Sequence, residues 1–575
     1  MIDDGFAPIP EKRFAPWLLE PMRRNMGTFW KVAIAAAFIN IFGLVTALFT
    51  MIVYDRVVPN NAMSSLVALS IGLLIVIVFD FILRMLRAYF MDHAGAHIDQ
   101  EIGEAVFARL MAIRLELKKG STGALTGMMR ELEALRDFFA SVTLTAIVDV
   151  PFIFLTLAFI AVIGGKVALV PAILVPLVIL VGWATHPALD RLSSRSMNEG
   201  LLKQSVLVEA VGGMETIKAS NANAFLSRRW SEAVVQHSDI LLRQRLVAAI
   251  GTNFASTAGM LAYAGIVIVG VQMIGNFELT TGELIACSIL GGRTIAPLAQ
   301  ISQLLSRLTA TRTAYRQIKN IMDLPPEGPA GDGLRLNSPQ GSIELRDVTF
   351  SYPGASEKTL KGISFVIQPK EHVALIGRVG SGKSTIARMV LGLYPPDEGL
   401  VMIDGVDVRQ IAPENLRQHF GAALQESVLL SGTVRENIHL ERVDVDEEEV
   451  LRAARISGTH DFIGRIANGY DLRLSDRGEG LSGGQRQSIS LARALAGRPT
   501  FFVMDEPTSA MDAQTEASLV QRLKTEFVDR TLLVITHRPP LLQLVDRIIM
   551  IDNGTITADG PREAVLSELS KRKAA

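Results

Sequence analysis

The first half of the chain carries six apolar stretches that are each long enough to cross a lipid bilayer. A membrane-spanning helix needs about 17–25 predominantly apolar residues. The stretches lie at residues 32–53, 66–83, 142–163, 167–183, 247–274 and 284–305. Backbone polar groups find no water inside lipid, so stretches of this length form helices that satisfy their own hydrogen bonds. We therefore predict an all-α transmembrane domain of six spans over residues 30–324.

Positively charged residues are unevenly distributed between these stretches. The long segments 84–141 and 184–246 are rich in Lys and Arg, whereas the connections 54–65, 164–166 and 275–283 hold only Arg56 and Lys166. The positive-inside rule then places both termini and the two long segments in the cytoplasm. Helical periodicity indicates that the long segments extend the membrane helices into the cytoplasm. The turn of the second, near residues 213–225, would touch the soluble domain.

The remaining segments are interpreted from their composition. Residues 1–29 form an N-terminal tail that carries Lys12, Arg13, Arg23 and Arg24, and 14–30 has the aromatic and Leu content of an interfacial helix on the inner leaflet. An unstructured tail is the alternative, and no cleavable signal sequence is evident. Residues 325–340 are rich in Pro and Gly and predict a linker. A soluble domain is expected over residues 341–575.

Charge and cysteine content exclude several classes of function. The 575-residue chain has a formal net charge of −1, so nothing indicates a nucleic-acid partner. Its one cysteine, Cys287, lies within an apolar stretch. The chain therefore cannot form an internal disulfide, and a thiol-based peptidase is not expected.

A glycine-rich loop in the soluble part predicts a nucleotide site on an α/β domain. Residues 377–384 read G-R-V-G-S-G-K-S and match the phosphate-binding loop at every fixed position. An apolar run precedes the loop and a segment with helical spacing follows it, which is the strand, loop and helix order that phosphate binding needs. Lys383 would reach the β- and γ-phosphates, and Ser384 would bind Mg²⁺. The predicted ATP-binding residues of this region are Gly377, Arg378, Val379, Gly380, Ser381, Gly382, Lys383, Ser384 and Thr385.

Four polar residues further along the chain complete a predicted hydrolysis site. Gln425, Asp505, Glu506 and His537 each follow an apolar run with strand character. An Asp at the tip of a buried strand can bind Mg²⁺, and the adjacent Glu can polarise the attacking water. Gln425 is placed to bridge Mg²⁺ and this water, and His537 to contact the γ-phosphate. Each residue alone is more often structural, but their joint occurrence in this order indicates ATP hydrolysis.

Together with the sequence L-S-G-G-Q at 481–485, these residues resemble the ATPase domain of ABC transporters. The resemblance implies that Tyr352 stacks on adenine and that Asp512 communicates between two ATP sites. The signature residues Leu481, Ser482, Gly483, Gly484 and Gln485 would complete the ATP site of a second subunit. Since the chain has one set of each part, a homodimer is expected. Residues 475–478 read S-D-R-G where exporters usually have G-E-R-G, so their contact with the membrane domain is expected to differ.

A six-span domain followed by one ATPase domain resembles the half-transporter exporters. Residues 49–62, 137–152 and 291–297 look like the permease/ATPase of bacterial type I secretion systems, particularly the subgroup that exports large repeat adhesins. The resemblance implies an inner-membrane location, a periplasmic membrane-fusion adaptor, an outer-membrane channel and a protein substrate with a C-terminal secretion signal. The short segment before the first span disfavours exporters that cleave a leader peptide. An ABC exporter of lipids, drugs or peptides is the alternative, whereas a regulator without transport is expected to have lost Glu506 or His537.

Three charged residues lie within the predicted spans: Asp80, Asp149 and Arg293. A charge at the centre of a membrane helix costs about 2.5–3.5 kcal/mol on insertion scales. Such residues therefore face the interior of the helix bundle or water. They either line a polar route for an unfolded polypeptide or form interhelical ion pairs, with Arg293 pairing to Asp149 or Asp80.

Overall fold

The computed structural model describes residues 15–117, 142–329, 331, 333–425 and 428–574. The chain divides into two compact units. The helical unit comprises Met1–Ala112 and Lys119–Leu324, and the α/β unit comprises Ile113–Lys118 and Pro325–Ala575. Part of the predicted tail and part of the first long segment, including the start of the stretch 137–152, lie outside the described residues.

The described part of the helical unit is built from α-helices, most of which are long. They are α1 (Pro16–Arg24), α2 (Met26–Ile52), α3 (Met63–Met111), α4 (Val142–Gly164), α5 (Leu169–Gly212), α6 (Met214–Ala219), α7 (Asn223–Gly275) and α8 (Thr281–Met322). With 49 and 53 residues, α3 and α7 are about 74 and 80 Å long at 1.5 Å per residue. The hydrocarbon core of a bilayer is only about 30 Å thick. Both helices are therefore long enough to continue well beyond a membrane, as the sequence predicts.

Four helical stretches among the described residues are long and apolar enough to cross a membrane: Met26–Asn60, Met63–Met111, Asp149–Gly212 and Asn223–Gly275. The first, second and fourth each contain one of the predicted spans, and the third contains the fourth predicted span and most of the third. The sixth predicted span lies in α8, which does not belong to this group. A total of six membrane crossings therefore stays a prediction.

The turn between α5 and α7 is built around the short helix α6. Gly213 ends α5, and Ser220, Asn221 and Ala222 connect α6 to α7. Asn221 has a φ of 51°, a left-handed conformation that Asn adopts more readily than most residues. The tip of this helical pair thus lies within the segment predicted at residues 213–225.

The N-terminal helix α1 packs on other helices of the same unit. Leu18 is buried in a cluster with Ile98 and Ile102 of α3 and Ile318 of α8. The ring of Trp17 stacks on Tyr315 of α8 with centroids 5.5 Å apart. The unstructured alternative for the tail is therefore wrong for Pro16–Arg24.

The charged residues of the predicted spans do not pair as expected. Asp149 pairs with Arg87 of α3 at 3.6 Å and accepts a hydrogen bond of 2.9 Å from the side-chain amide of Asn40. Asp80 pairs with Arg84 on its own helix at 2.7 Å. The guanidinium of Arg293 instead lies against Gly43, where a Cβ atom would collide with it. The predicted pairing of Arg293 with either aspartate is therefore wrong; Asp149 joins three helices without it.

We expect the Arg87→Met substitution to destabilise the helical unit by about 3 kcal/mol, because it leaves a largely buried carboxylate without its counter-charge. The side chains of Arg87 and Asp149 are only 17% and 19% exposed. Arg243→Met is the matched control, because Arg243 and its partner Asp239 lie in the predicted cytoplasmic segment 184–246 and are 66% and 56% exposed, and such pairs contribute about 0–1 kcal/mol. The measurement is thermal unfolding of the purified variants in detergent. Equal losses in the two variants would contradict this assignment.

A π-helical turn brings the segment after α2 to the start of α8. The turn spans Val53–Val57 and is followed by a short α-helical turn, Val58–Asn60. Within it, Asp55 accepts hydrogen bonds from the Thr280 hydroxyl (2.6 Å) and the Gly282 amide (2.8 Å). A Cβ at residue 282 would lie 2.5 Å from Asp55, so this approach requires glycine. Residues 49–62, one of the segments that resemble type I secretion proteins, therefore supply Asp55 as a hydrogen-bond acceptor at the start of α8.

The α/β unit contains twelve strands in its described part. They are β1 (Ile343–Phe350), β2 (Leu360–Ile367), β3 (His372–Gly377), β4 (Glu398–Ile403), β5 (Val406–Asp407), β6 (Phe420–Ala423), β7 (Gly432–Thr433), β8 (Arg473–Leu474), β9 (Phe501–Asp505), β10 (Thr531–Ile535), β11 (Arg547–Asp552) and β12 (Thr555–Pro561). The main sheet has the order β12-β11-β3-β10-β9-β6 and is parallel except for β12. A second, antiparallel sheet has the order β2-β1-β4-β5, and β7 pairs with β8.

The described part of the α/β unit also contains eight α-helices. They are α9 (Lys383–Val390), α10 (Pro413–Gln418), α11 (Val434–His439), α12 (Glu447–Ser457), α13 (Thr459–Ile463), α14 (Gly483–Leu495), α15 (Ala513–Glu526) and α16 (Arg562–Ala574). All five residues of β9 and all five of β10 are buried. Continuous burial of this kind is typical of central parallel strands with helices on both faces. The apolar runs at 501–505 and 531–535 therefore form buried inner strands of the main sheet.

The described residues of 325–340, the segment predicted as a linker, contact the α/β unit. Glu327 forms an ion pair with Arg417 of α10. The Leu334 amide donates to the Gln410 carbonyl at 2.7 Å, and the Leu336 amide donates to the Asn415 side chain at 2.6 Å. The described part of this segment is therefore held by specific hydrogen bonds, although it has no regular secondary structure beyond isolated bridges.

Candidate functional site

The predicted site residues meet at one edge of the main sheet. The strands β3, β10, β9 and β6 are neighbours and run parallel. The glycine loop follows β3, His537 follows β10, Asp505 ends β9 with Glu506 directly after it, and Gln425 follows β6. Ligands of open α/β sheets bind outside the carboxyl ends of such strands. The four apolar runs that precede the predicted site residues are therefore four neighbouring strands of one sheet.

The glycine loop has the backbone conformation that a phosphate cradle needs. Gly377, Gly380 and Gly382 have φ values of 151°, 82° and 100°, which other residues rarely adopt. A Cβ at residue 377 would collide with the Ile551 carbonyl, and one at residue 382 would lie 2.5 Å from the Leu360 side chain. The tip, Arg378–Gly380, is exposed, whereas Ser381 and Thr385 are buried. Only glycine fits the two crowded positions.

The Lys383 ammonium is held over this loop at the start of α9. It donates to the carbonyls of Gly377 (2.9 Å) and Arg378 (2.7 Å) and to the Ser381 hydroxyl (3.3 Å). Partial burial lowers the pKa of Lys383, and the nearby carboxylates of Asp505 and Glu506 oppose this shift. A cation held by neutral carbonyls beside a helix N-terminus suits a polyphosphate, which offers stronger acceptors.

Two carboxylates at the end of β9 face the loop. Asp505 is 3% exposed; burial raises the pKa of Asp505, and a hydrogen bond with Ser384 opposes the shift. The pairing of Ser384 with Asp505 brings together two predicted Mg²⁺ ligands. A hydroxyl and a carboxylate are oxygen ligands of the kind that Mg²⁺ prefers, so these side chains fit the ion.

Glu506 combines backbone strain with an unsatisfied oxygen. Its φ is 49°, in the left-handed region, and its amide donates to the Ile535 carbonyl at 2.9 Å. One carboxylate oxygen, Oε1, lies 2.6 Å from Nδ1 of His537. The other, Oε2, is buried and has no hydrogen-bond partner among the described residues. Strain and orphaned polar atoms of this kind concentrate at functional sites, and Oε2 is available to accept a proton or a hydrogen bond from water.

The Asp505→Asn substitution is expected to stabilise the nucleotide-free protein by about 1 kcal/mol at pH 7, because it removes the desolvation of a buried charge. An acid whose pKa is raised by folding binds its proton more tightly in the folded state, so its ionisation reduces stability as pH rises. The gain is therefore full above the folded pKa of Asp505 and shrinks as pH falls through it. Thermal unfolding at several pH values measures this, with the exposed Asp546→Asn variant as control. A gain that grows on acidification would contradict the assignment.

Two further predicted residues lie beside these groups. Gln425 is exposed two residues beyond the end of β6. The Tyr352 hydroxyl lies 3.1 Å from the Thr385 hydroxyl and accepts a hydrogen bond of 2.9 Å from Arg388 of α9. The Tyr352 ring contacts Phe350 and Tyr394 edge to face. Tyr352 is thus fixed next to the helix that follows the glycine loop, whereas contact of its ring with adenine stays a prediction.

The signature residues form the start of α14. Ser482 caps the helix: its hydroxyl accepts from the Gln485 amide, while the Gln485 side chain accepts from the Ser482 amide at 2.8 Å. This is a capping box, which satisfies the amides of Ser482 and Gln485; the other amides at the start of a helix have no partner within the helix. Leu481 accepts from Arg486 through its carbonyl at 2.6 Å. Among the described residues, the hydrogen bonds of 481–485 stay within this local turn, and none joins the glycine loop of the same chain.

Asp512 has a structural role that the sequence did not indicate. Its carboxylate caps α15 by accepting from the amides of Gln514 (3.0 Å) and Thr515 (2.9 Å) and from the Thr515 hydroxyl (2.6 Å). These hydrogen bonds lower the pKa of Asp512, with the Thr515 side chain as the largest cause. Communication between two sites through Asp512 stays a prediction.

Three residues of the site region were not predicted. Arg538 donates to the carbonyls of Ser509 (3.0 Å) and Met511 (3.2 Å) and pairs with the buried Glu516 at 3.2 Å. Glu516 also accepts from the Thr508 hydroxyl at 2.5 Å. The network holds the segment that follows Glu506. The only sequence signal was a basic residue directly after His537, which has an ordinary surface interpretation.

Comparisons with known proteins agree with this geometry. Residues 360–509 match the family description "ABC transporter", and residues 29–296 match "ABC transporter transmembrane region". The chain is 32% identical to the cyclolysin secretion/processing ATP-binding protein CyaB of Bordetella pertussis, over 96% of this chain and 77% of that protein. It is 31% identical to the toxin RTX-I translocation ATP-binding protein of Actinobacillus pleuropneumoniae, over 96% and 78%.

A solved structure shares the fold. A bacterial Atm1-family ABC exporter with ATP bound matches with a TM-score of 0.84 and 22% identity, covering 96% of this chain and 99% of that chain. At this identity the match concerns the fold alone, a helical transmembrane domain followed by an α/β ATPase domain. Identity of about 30% with full-length transporters is nevertheless maintained over almost the whole chain. The protein therefore belongs to the ABC transporter family, with the transmembrane region and the ATPase domain in one polypeptide.

Proposed function

We propose that this protein is the ABC component of a type I secretion system, which uses ATP hydrolysis to export a protein across the bacterial inner membrane. The observation that carries this is the similarity over 96% of the chain to proteins named for the secretion or translocation of cyclolysin, leukotoxin and RTX toxin. The ATPase chemistry is supported by the glycine loop, Asp505, Glu506 and His537 at adjacent strand ends.

In the proposed reaction, Lys383 exchanges its carbonyl partners for the β- and γ-phosphate oxygens of ATP. The loop amides and the start of α9 bind the remaining phosphate charge. Bound Mg²⁺ would neutralise the charge that develops on the phosphates, with Ser384, Asp505 and Gln425 as its protein ligands. Glu506 orients the attacking water through Oε2 and accepts its proton, while His537 keeps Oε1 in place.

A single chain supplies only half of each proposed site. The signature residues make no hydrogen bond to the glycine loop of their own chain, as far as the described residues extend. In the proposed homodimer, the start of α14 of one subunit faces the ATP held by its partner, where the first amides of the helix and the helix dipole favour the γ-phosphate. Closure of the two sites then drives the helical units, whose cytoplasmic extensions include the turn around α6.

The proposed partners are a periplasmic adaptor, an outer-membrane channel and a polypeptide with a C-terminal secretion signal. The test compares the proteins secreted by cells that contain this chain, lack it, or contain only its Glu506→Gln variant. We expect one or a few secreted proteins to disappear in the last two strains, and truncation of the C-terminus of such a protein to retain it in the cell. An unchanged set of secreted proteins, with ATPase activity that responds to lipids or small amphiphiles, would contradict protein export.

A further inference from the structure

The side chain of Gln487 joins the signature helix to the segment that follows Glu506. Gln487 lies on α14, five residues after Ser482. Its amide nitrogen donates to the Ser509 hydroxyl at 2.6 Å and approaches the Glu506 carbonyl at 3.5 Å. Its amide oxygen accepts from the Ala510 amide at 2.9 Å. The amide nitrogen and the amide oxygen of Gln487 thus both form hydrogen bonds with residues 506–510.

The start of α14 rests on the same stretch. Cβ atoms at Gly483 and Gly484 would lie 3.1 Å from the side chain and carbonyl of Ala510. This distance is tighter than ordinary van der Waals contact, so the helix approaches residue 510 as closely as its glycines allow. A displacement of α14 toward this stretch must therefore displace Ala510.

The opposite side of the stretch is held by groups that do not belong to α14. Arg538 holds the carbonyls of Ser509 and Met511, and Glu516, which is 4% exposed, fixes Arg538. Glu506 itself has a left-handed backbone conformation, and one of its carboxylate oxygens has no partner in the part of the chain that the structure describes. Residues 506–510 are therefore contacted by Arg538 on one side and by Gln487 of the signature helix on the other. The first residue of this stretch is Glu506, whose backbone is strained.

We propose that Gln487 is a positioning residue for hydrolysis, which aligns Glu506 of its own chain when the signature helix of that chain engages nucleotide. The inference rests on the shared site of the proposed function. Gln487 touches neither the proposed nucleotide nor the attacking water; it acts through Ser509, Ala510 and the backbone of Glu506. The ATP held by one subunit thereby controls the carboxylate that acts on the other ATP.

The first test is a kinetic comparison of the full-length protein with its Gln487→Leu variant, which keeps the side-chain size and loses all three contacts. We expect kcat for ATP hydrolysis to fall about ten-fold with KM for ATP unchanged, because an interaction that aligns the reacting group is lost while binding is not. Gln487→Glu retains the acceptor for Ala510 and is expected to recover part of kcat. Gln521→Leu, an exposed position on α15, is the control without effect.

The second test separates action on Glu506 from damage to the signature. Two differently tagged chains are purified as heterodimers that carry both Gln487→Leu and Glu506→Gln. When the substitutions are on different chains, the remaining active carboxylate belongs to the chain without Gln487, and we expect its rate to be about ten-fold lower than when both are on one chain. Damage to the signature contact predicts the reverse order, because that contact acts on the partner's site.

The outcomes distinguish the two proposals. Equal rates in the two arrangements, including no activity in either, would overturn the positioning role of Gln487, as would a rise in KM that accounts for the whole effect of Gln487→Leu. A wild-type protein that hydrolyses ATP as a monomer, measured by size-exclusion chromatography and light scattering, would contradict the shared site itself. Lower activity in the separated arrangement supports both.

Discussion

The Glu506→Gln variant is expected to bind ATP with near-normal affinity and to hydrolyse it about 10²–10⁴-fold more slowly than the wild type, the usual contribution of a general base. The amide has nearly the same shape as the carboxylate but cannot accept the proton of the attacking water. The unpartnered Oε2 and the contact of Oε1 with His537 are the groups that the substitution changes. Phosphate release under saturating ATP measures the rate, and binding of a fluorescent ATP analogue measures affinity.

A matched control separates this effect from the loss of a negative charge. Glu448 is exposed in the first turn of α12 on the same unit. Glu448→Gln makes the same chemical change away from the sheet edge, so we expect unchanged hydrolysis. Turnover of Glu506→Gln within a factor of about three of wild type would rule out Glu506 as the base, since this loss is far below the usual general-base contribution.

The sequence signals from which the hydrolysis site is predicted are all local. A strand that is buried on both faces reads as a continuous apolar run, and the polar residue at its end marks the carboxyl edge of the sheet. Asp505 and His537 were placed by this rule, and the order of β3, β10, β9 and β6 brings them to the glycine loop.

Interactions between distant segments were predicted less well. The apolar runs indicated where helices lie, but not that Arg87 of α3 would be the partner of Asp149. That pairing depends on how two helices pack, which periodicity does not determine. Gln487 likewise occupies an ordinary position on a helix, and only the folded chain shows that both ends of its side chain contact residues 506–510.

The composition of the segment 325–340 likewise did not predict its hydrogen bonds with the α/β unit. The described residues of this segment form isolated bridges but no helix or extended strand, as its Pro and Gly content leads one to expect. Flexible linkers share this composition, however, and the hydrogen bonds of Leu334 and Leu336 with the α/β unit depend on the shape of a surface formed elsewhere. Backbone groups without a regular partner in their own segment commonly find one on a neighbouring surface.

The largest effect is expected when two inactive chains are combined. Lys383→Ala removes the cation that binds phosphate, and Ser482→Arg places a bulky side chain at the start of α14; either homodimer has two damaged sites and should lack hydrolysis. In a mixed dimer, however, the intact glycine loop of the Ser482→Arg chain meets the intact signature of the Lys383→Ala chain. Random mixing gives half mixed dimers with one intact site of two, so about a quarter of wild-type activity is expected for independent sites.

The capping role of Ser482 requires its own control, because Ser482→Arg also removes a capping box. Thr433 forms the same box with Glu436 at the start of α11, so Thr433→Arg removes a cap of the same kind, at a cost of about 1 kcal/mol, without touching the signature. We expect this variant to keep hydrolysing ATP. Mixed dimers verified by two affinity tags that show no activity, beside an active Thr433→Arg variant, would contradict a site shared between two chains. If each chain held a complete site, a mixture of the two inactive variants would stay inactive. Recovery of hydrolysis in the mixed dimer therefore requires a site that is shared between two chains.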